Sequence, residues 1–281
     1  MGRDIDLMHL GTPRVLCAHE RDGLIVDPGP ESCLDTLLAA LDGEEPRALL
    51  LTHIHLDHAG AAGALVRRFP HLPVYVHERG APHVVDPSRL VASAARVYGA
   101  ENMDRLWGEI VPVPEANVHV LAGGETVEGH EVAYTPGHAS HHVAYLSPDG
   151  EAFTGDVAGV RIAPEGYVAP PCPPPDVDLE AWSRSLDLLE AWSPRAVCLM
   201  HFGAFDDVAR HLGLLREQLE TWAERARPGD REAFVAAGQA EYEAEATPGA
   251  VRALGQASPV ELCWLGLERY WRKRAEREAA A

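Results

Sequence analysis

Within residues 53–58 the chain carries four groups that can bind a cation: His53, His55, Asp57 and His58. They follow directly on the apolar run Ala48, Leu49, Leu50 and Leu51, and they precede the small residues that begin at Ala59 and Gly60. The apolar run reads as a buried strand, residues 59–66 as a helix, and the stretch between them as a turn that bears ligands. In an extended segment residues two apart point to the same side, so His53 and His55 converge on one ion. The helical zinc motif differs, because its two histidines lie four apart on one helix face. A lone histidine near a strand end is ordinarily a partly buried polar residue, but four coordinating groups at this density are not explained that way. Any fold for this chain must therefore deliver a strand end at which polar side chains converge. Neutral imidazole and carboxylate suit zinc first, and iron or manganese as well.

The remaining pattern supplies such a fold. Residues 5–10, 14–19 and 23–26 read as short strands, and Asp27-Pro28-Gly29-Pro30 is a sharp stop before a helix over residues 31–41. A strand over 47–51, a helix to Arg68 and a strand over 72–77 establish a β-turn-α rhythm. Residues 84–107 are helical in pattern, interrupted near Gly99, and either cover a site or pack on a sheet. From 118 to 154 the rhythm becomes a meander of short strands at 118–121, 130–135, 142–146 and 151–153. Strands and helices thus come in two similar halves, which implies two sheets packed face to face with helices outside.

Residues 164–176 hold six prolines and are expected to form a stiff surface loop. Asp178 is placed to cap a helix over 179–192, and a strand over 195–200 ends at His201. Beyond Asp206 the pattern is helical, with three or four helices expected. The anticipated organisation is a sandwich over residues 1–205 and a helical subdomain over 206–281. Leu212, Leu215, Leu219 and Trp222 make a helical stripe that reads as internal core, with a homodimer face as the alternative.

Charge limits the partners. With 24 Lys and Arg against 43 Asp and Glu, a formal charge of −19, the average surface repels phosphate backbones, so nucleic acid is not expected as a partner. The basic cluster at Arg269, Arg272, Lys273 and Arg274 lies among Glu268, Glu276 and Glu278 and reads as the solvated face of a last helix. No secretory signal is evident near the start, no long apolar run suggests a membrane span, and five cysteines without CxxC spacing fit reduced thiols in a cytoplasm.

Three further stretches share the context of the first. His138 follows Thr135-Pro136-Gly137, Asp156 follows Thr154-Gly155, and His201 closes the run from Val197 to Met200, each after an expected strand. The set HxHxDH at 53–58, TPGH at 135–138, TGD at 154–156 and His201 resembles the metallo-β-lactamase superfamily of metal hydrolases, over about residues 5–205. That resemblance implies an αββα sandwich, an α/β fold of two mixed sheets flanked by helices, with the site at one edge. It implies that His53, His55 and His138 hold one divalent ion and that Asp57, His58 and His201 hold a second, with Asp156 bridging them. Two such ions share a water, acidify it and polarise the substrate oxygen, while Asp57 orients the nucleophile and passes its proton to the leaving group.

Among the branches of the superfamily the chain most resembles glyoxalase II, which implies a dinuclear hydrolase of a small ester or thioester. A lactonase or phosphodiesterase of the same fold is the alternative. A mononuclear iron oxidoreductase like the persulfide dioxygenases, or a metal-binding sensor, is the alternative of another class. His141, Arg161 and Tyr167 are candidate substrate contacts, and the remaining histidines, His9 among them, are read as structural.

Overall fold

The computed structural model describes residues 2–163, 166–244 and 247–280. Among these residues the strands form two sheets of six. The first holds β1 (Arg3–Asp6), β2 (Cys17–Arg21), β3 (Leu24–Val26), β4 (Ala48–Leu50), β5 (Val74–His77) and β6 (Val118–Leu121), in chain order. The second holds β7 (Thr126–Val127), β8 (His130–Tyr134), β9 (Val143–Leu146), β10 (Glu151–Phe153), β11 (Ala196–Leu199) and β12 (Gly203–Phe205). Both sheets are mixed: β3 to β6 pair parallel beside an antiparallel β1–β2–β3 unit. In the second sheet β10 and β11 are parallel while the other pairs are antiparallel.

Alternation along the strands builds the layers. Leu24, Val26, Ala48 and Leu50 meet Val132, Val143, Tyr145 and Phe153 between the sheets. Ile25, Leu49 and Leu51 point the other way, into a cluster with Leu37, Leu41 and Leu65 of the helices Leu34–Leu41 and Ala62–Arg68. The unbroken apolar sequence of β4 is therefore that of a strand covered on both faces. Val197 and Leu199 of β11 likewise pack with Leu186 and Leu189 of the helix Leu179–Trp192, which completes an αββα sandwich. Asp178 caps that helix, accepting from the Ala181 amide at 2.8 Å.

Four helices follow: Val208–Ala226, Arg231–Glu243, Pro248–Ala257 and Val260–Ala280. The stripe Leu212, Leu215, Leu219 and Trp222 is buried in the chain's own interior, in a cluster continuous with the sandwich. No helix among the described residues is long and apolar enough to cross a membrane.

Several expectations are corrected. The strand expected over residues 5–10 ends at Asp6, and His9–Gly11 is a short 3-10 turn. Residues 118–121 are the last strand of the first sheet, paired parallel with β5, rather than the first of the meander. The proline-rich stretch, whose first residue Pro164 lies outside the described residues, is not a surface loop: Val168, Ala169 and Cys172 are buried. Proline has no N–H to leave unpaired, so such a segment is buried with few orphaned donors. Ala169 and Val160 exchange backbone hydrogen bonds at 2.8 and 2.9 Å. The last helix then closes over it so tightly that a Cβ on Gly266 would meet the Cys172 carbonyl oxygen at 2.0 Å.

Candidate metal centre

Strand pairing brings the scattered donors to one edge. Val26 pairs with Leu50 across parallel β3 and β4, so Asp27 and Thr52 emerge side by side, with His53 to His58 following. Phe153 pairs with Cys198 across parallel β10 and β11, so Asp156 and His201 leave the second sheet together. His138 arrives from the turn after β8. Its neighbour Gly137 has a φ of +145° and packs against the helix Leu179–Trp192, where an added Cβ would lie 2.4 Å from the Trp182 Cα.

The result is two adjoining donor clusters. His53, His55, His138 and Asp156 form one, and Asp57, His58 and His201 form the other, with the donor atoms of each within 4.8 Å of one another. The carboxylate of Asp156 spans both: Oδ2 lies 3.3 Å from His138 Nε2, and Oδ1 lies 3.2 Å from His58 Nε2 and 3.4 Å from His201 Nε2. Asp57 Oδ2 lies 3.6 Å from His201 Nε2.

Hydrogen bonding on the far side of each ring fixes which nitrogen faces inward. His138 Nδ1 donates to the Pro171 carbonyl and His201 Nδ1 to the Val15 carbonyl, both at 2.8 Å. His58 Nδ1 donates to Asp27 Oδ2 at 2.8 Å. Thr52 Oγ1 donates to the same carboxylate oxygen at 2.6 Å, which leaves it to accept from His53 Nδ1 at 3.1 Å. The Nε2 atoms of His53 and His138 therefore present lone pairs, and each stands 3.0 Å from Nδ1 of His55. Nitrogen lone pairs at that separation repel unless a proton or a cation lies among them. In the other cluster, His58 Nε2, His201 Nε2 and Asp156 Oδ1 are buried with no hydrogen-bond partner, a costly state for polar atoms. Inward lone pairs, orphaned buried donors and outward-held N–H groups are what divalent ions require of their ligands, so these residues fit two such ions.

The electrostatics differ between the halves. Burial, helped by His58 and His55, holds His53 well below the usual imidazole range, and burial with His138 brings His55 down to about 4. Burial would depress His58 too, but the carboxylates of Asp156, Asp27 and Asp57 overcome it and hold the group well above the usual range. Asp156 is held far below the carboxylate range despite its burial, by His58, His138 and His201. A third cluster, Asp4, Cys17 and His19, is closed to metal: His19 Nδ1 engages Asp4 at 2.9 Å and Nε2 engages the Leu199 carbonyl at 3.1 Å, so neither nitrogen is left to face an ion.

A cavity of about 530 Å³ opens onto His55, Asp57 and Asp156, walled largely by the segment 89–107 and by the C-terminal helices. His141 lies in this wall, its ring stacked 6.0 Å from that of His53. Arg161 and Tyr167, expected at the rim, are not among the lining residues. Arg161 is buried and paired with Asp207 at 2.6 Å, and the Tyr167 hydroxyl lies 2.7 Å from Gln218 Oε1 and 2.8 Å from Glu241 Oε2, engaged by the C-terminal helices. Two residues went unrecognised from sequence. His9 lines the cavity, and Asp27, read only as a chain stop, is the buried acceptor that orients His58 and Thr52.

Fold and donor set together define the class: an αββα sandwich whose histidine and aspartate side chains gather at one edge of the sheets. Residues 15–201 match the model of the metallo-beta-lactamase superfamily, and the chain belongs to that superfamily. A hydroxyacylglutathione hydrolase of Aeromonas salmonicida (strain A449) is 32% identical over 145 residues, covering 50% of this chain and 44% of that protein. One from Aeromonas hydrophila is 33% identical over the same length, so the chain spans less than half of these curated relatives. Among solved structures, the superfamily protein ST1585 from Sulfolobus tokodaii shares the fold over 95% of this chain and 97% of its own, with a TM-score of 0.72 and 23% identity. TTHA1623, solved in a di-iron-bound form, is 33% identical over 68% of this chain and 85% of its own, with a TM-score of 0.52.

Proposed function

We propose that the chain is a dinuclear metal-dependent hydrolase of a small ester or thioester, similar to glyoxalase II. The observation that carries this reading is Asp156, whose two buried oxygens face two separate donor clusters. His53, His55 and His138 would hold one divalent ion, Asp57, His58 and His201 the other, with Asp156 between them; the di-iron form of TTHA1623 supports a two-ion site. Zinc is the favoured metal, with iron or manganese compatible with the same donors. Bound at this site, such ions supply Lewis acidity toward an acyl oxygen and acidify a water molecule toward neutrality.

The chain's own residues do the rest. Asp27, Thr52 and the Pro171 and Val15 carbonyls hold the imidazoles in their ligating tautomers. Asp57, partly open to the cavity, takes the proton of the attacking water and returns it to the leaving oxygen or sulfur. The apolar wall of residues 90–107 excludes bulk water and receives the acyl group. The second donor cluster, Asp57, His58 and His201, favours a two-ion centre over a single-iron one.

Metal analysis paired with a panel of esters, thioesters, lactones and phosphodiesters tests the proposal. Two ions per chain and acyl hydrolysis that is lost on chelation and restored by zinc or manganese are expected. One iron per chain with oxygen consumption, or two ions with no turnover on any member of the panel, would refute it.

A further inference from the structure

The cavity wall facing the donor clusters holds a tyrosine that differs from every other tyrosine of the chain. Tyr75, Tyr134, Tyr145, Tyr167, Tyr242 and Tyr270 all donate their hydroxyls to protein acceptors, at 2.7 to 3.3 Å. The seventh, Tyr98, lines the cavity with His55, Asp57 and Asp156, and its hydroxyl has no partner among the described residues. Tyr98 is half-buried, and a tyrosine hydroxyl that opens on a pocket without a protein acceptor is free to donate to what enters.

The ring packs against an aromatic stack. It meets Trp107 edge-on at 5.1 Å and 73°, and Trp107 is stacked on its other contact by His9 at 5.7 Å and 12°. His9 Nε2 donates to the Leu106 carbonyl at 3.0 Å, which locks the stack to the backbone. Met8 and Leu10, on either side of His9, both take a φ of 52° with their side chains exposed, in a turn closed by backbone hydrogen bonds from Gly11 N to Met8 O at 2.8 Å and from Thr12 N to His9 O at 2.9 Å. Burial, with Asp57, Cys263 and Asp156 behind it, pushes the phenol up, so it remains a donor at neutral pH.

Resting on the hydrolase reading, we propose that Tyr98 is a catalytic residue of this centre, its hydroxyl donating to the acyl oxygen as that atom gains negative charge. When water bonds to the acyl carbon, its proton passes to Asp57 and the carbonyl π pair moves onto the acyl oxygen, where Tyr98 meets it. When that pair returns, the bond to the leaving oxygen or sulfur breaks, and the leaving group departs with the proton from Asp57. A donor that strengthens its bond only as charge develops lowers the barrier without tightening substrate binding.

The test compares wild type with Tyr98→Phe, both metal-loaded, on phenyl butyrate, p-nitrophenyl butyrate and S-phenyl thiobutyrate. It also measures inhibition by the monophenyl ester of propylphosphonic acid, a tetrahedral anion. Phe preserves the contact with Trp107, so melting temperature and metal content are expected to hold. A fall in kcat of roughly 100-fold on the substrates the wild type cleaves, with KM unchanged and an equal loss of phosphonate affinity, is expected. Unchanged kcat and phosphonate affinity overturn the proposal while leaving the hydrolase reading intact. A loss confined to the poorer leaving group also overturns it, by placing the hydroxyl at the leaving atom. If the wild type cleaves neither these three nor any other member of the ester, thioester, lactone and phosphodiester panel, the hydrolase reading fails and the proposal fails with it.

Discussion

Replacing Asp27 by Asn tests how far the centre depends on a residue outside its donor set. The Asp27 carboxylate is 2% exposed and accepts three hydrogen bonds: from the Thr52 amide at 2.8 Å, the Thr52 hydroxyl at 2.6 Å and His58 Nδ1 at 2.8 Å. Asn keeps the volume and one acceptor oxygen, which the Thr52 amide can retain. The new NH₂ group then faces two donors. Thr52 can rotate its hydroxyl to accept, but the His58 ring cannot reverse without withdrawing Nε2 from the cluster. One buried donor is thus stranded, at a cost of about 1–3 kcal/mol. Losing the group that orients a ligating imidazole typically weakens metal binding by about 10- to 100-fold, or about 1.4 to 2.8 kcal/mol. Titration against a competing chelator should therefore show one weakened ion and one of near wild-type affinity, because the other cluster touches Asp27 only through Thr52. Melting of the metal-free protein should fall by about 2–4 °C per kcal/mol lost. If both ions bind with wild-type affinity and the metal-free protein melts unchanged, the reasoning from Asp27 is wrong.

Three further outcomes follow from other parts of the structure. Asp156→Ala should leave about one ion per chain and remove most activity, because both clusters share that carboxylate; two full equivalents with normal turnover would contradict the bridging role. Gly137→Ala should lower the melting temperature by several degrees and loosen metal together, since its Cβ would lie 2.4 Å from the Trp182 backbone and must displace either the helix or His138. His211 is fully buried, donates to the Ala158 carbonyl at 2.7 Å, and is depressed to about 4, mainly by burial. The unfolded chain therefore binds its proton first on acidification: the stabilisation from the neutral ring is complete above about pH 6.5 and fades toward pH 4, by at most about 3 kcal/mol. His211→Gln, which can donate but does not titrate, should lose less melting temperature between those pH values; parallel curves for the two proteins would exclude the assignment.

What the sequence revealed and what it concealed follow the range of the interactions. The stretch around His53 was legible because strand, turn, donors and helix start are contiguous, and His138, Asp156 and His201 were legible because each directly follows a strand. Asp27 was not, since its meaning depends on parallel pairing with β4, and the Thr52 it serves lies 25 positions away. The sheet to which β6 belongs was hidden for the same reason: a parallel partner is set by the crossover through the cavity wall and not by the turn that follows. The proline-rich stretch looked exposed because its cover, the helix Val260–Ala280, arrives some ninety residues later, where Cys172 N donates to Cys263 Sγ. Tyr167 lost its place at the rim to acceptors on two other late helices, Gln218 of Val208–Ala226 and Glu241 of Arg231–Glu243.

The same late contacts bear on how a protein of this kind can change its specificity. The Pro171 carbonyl sets the tautomer of His138, and the adjoining Pro170 carbonyl is held by Ser258 Oγ at 3.4 Å and Cys263 Sγ at 3.6 Å. The C-terminal helices that shape the cavity thus also brace a segment that aims a metal donor. On the proposed reading, exchanging those helices for others is not a modular graft: a new substrate pocket is expected to bring a change in metal affinity with it, which couples selection on the two.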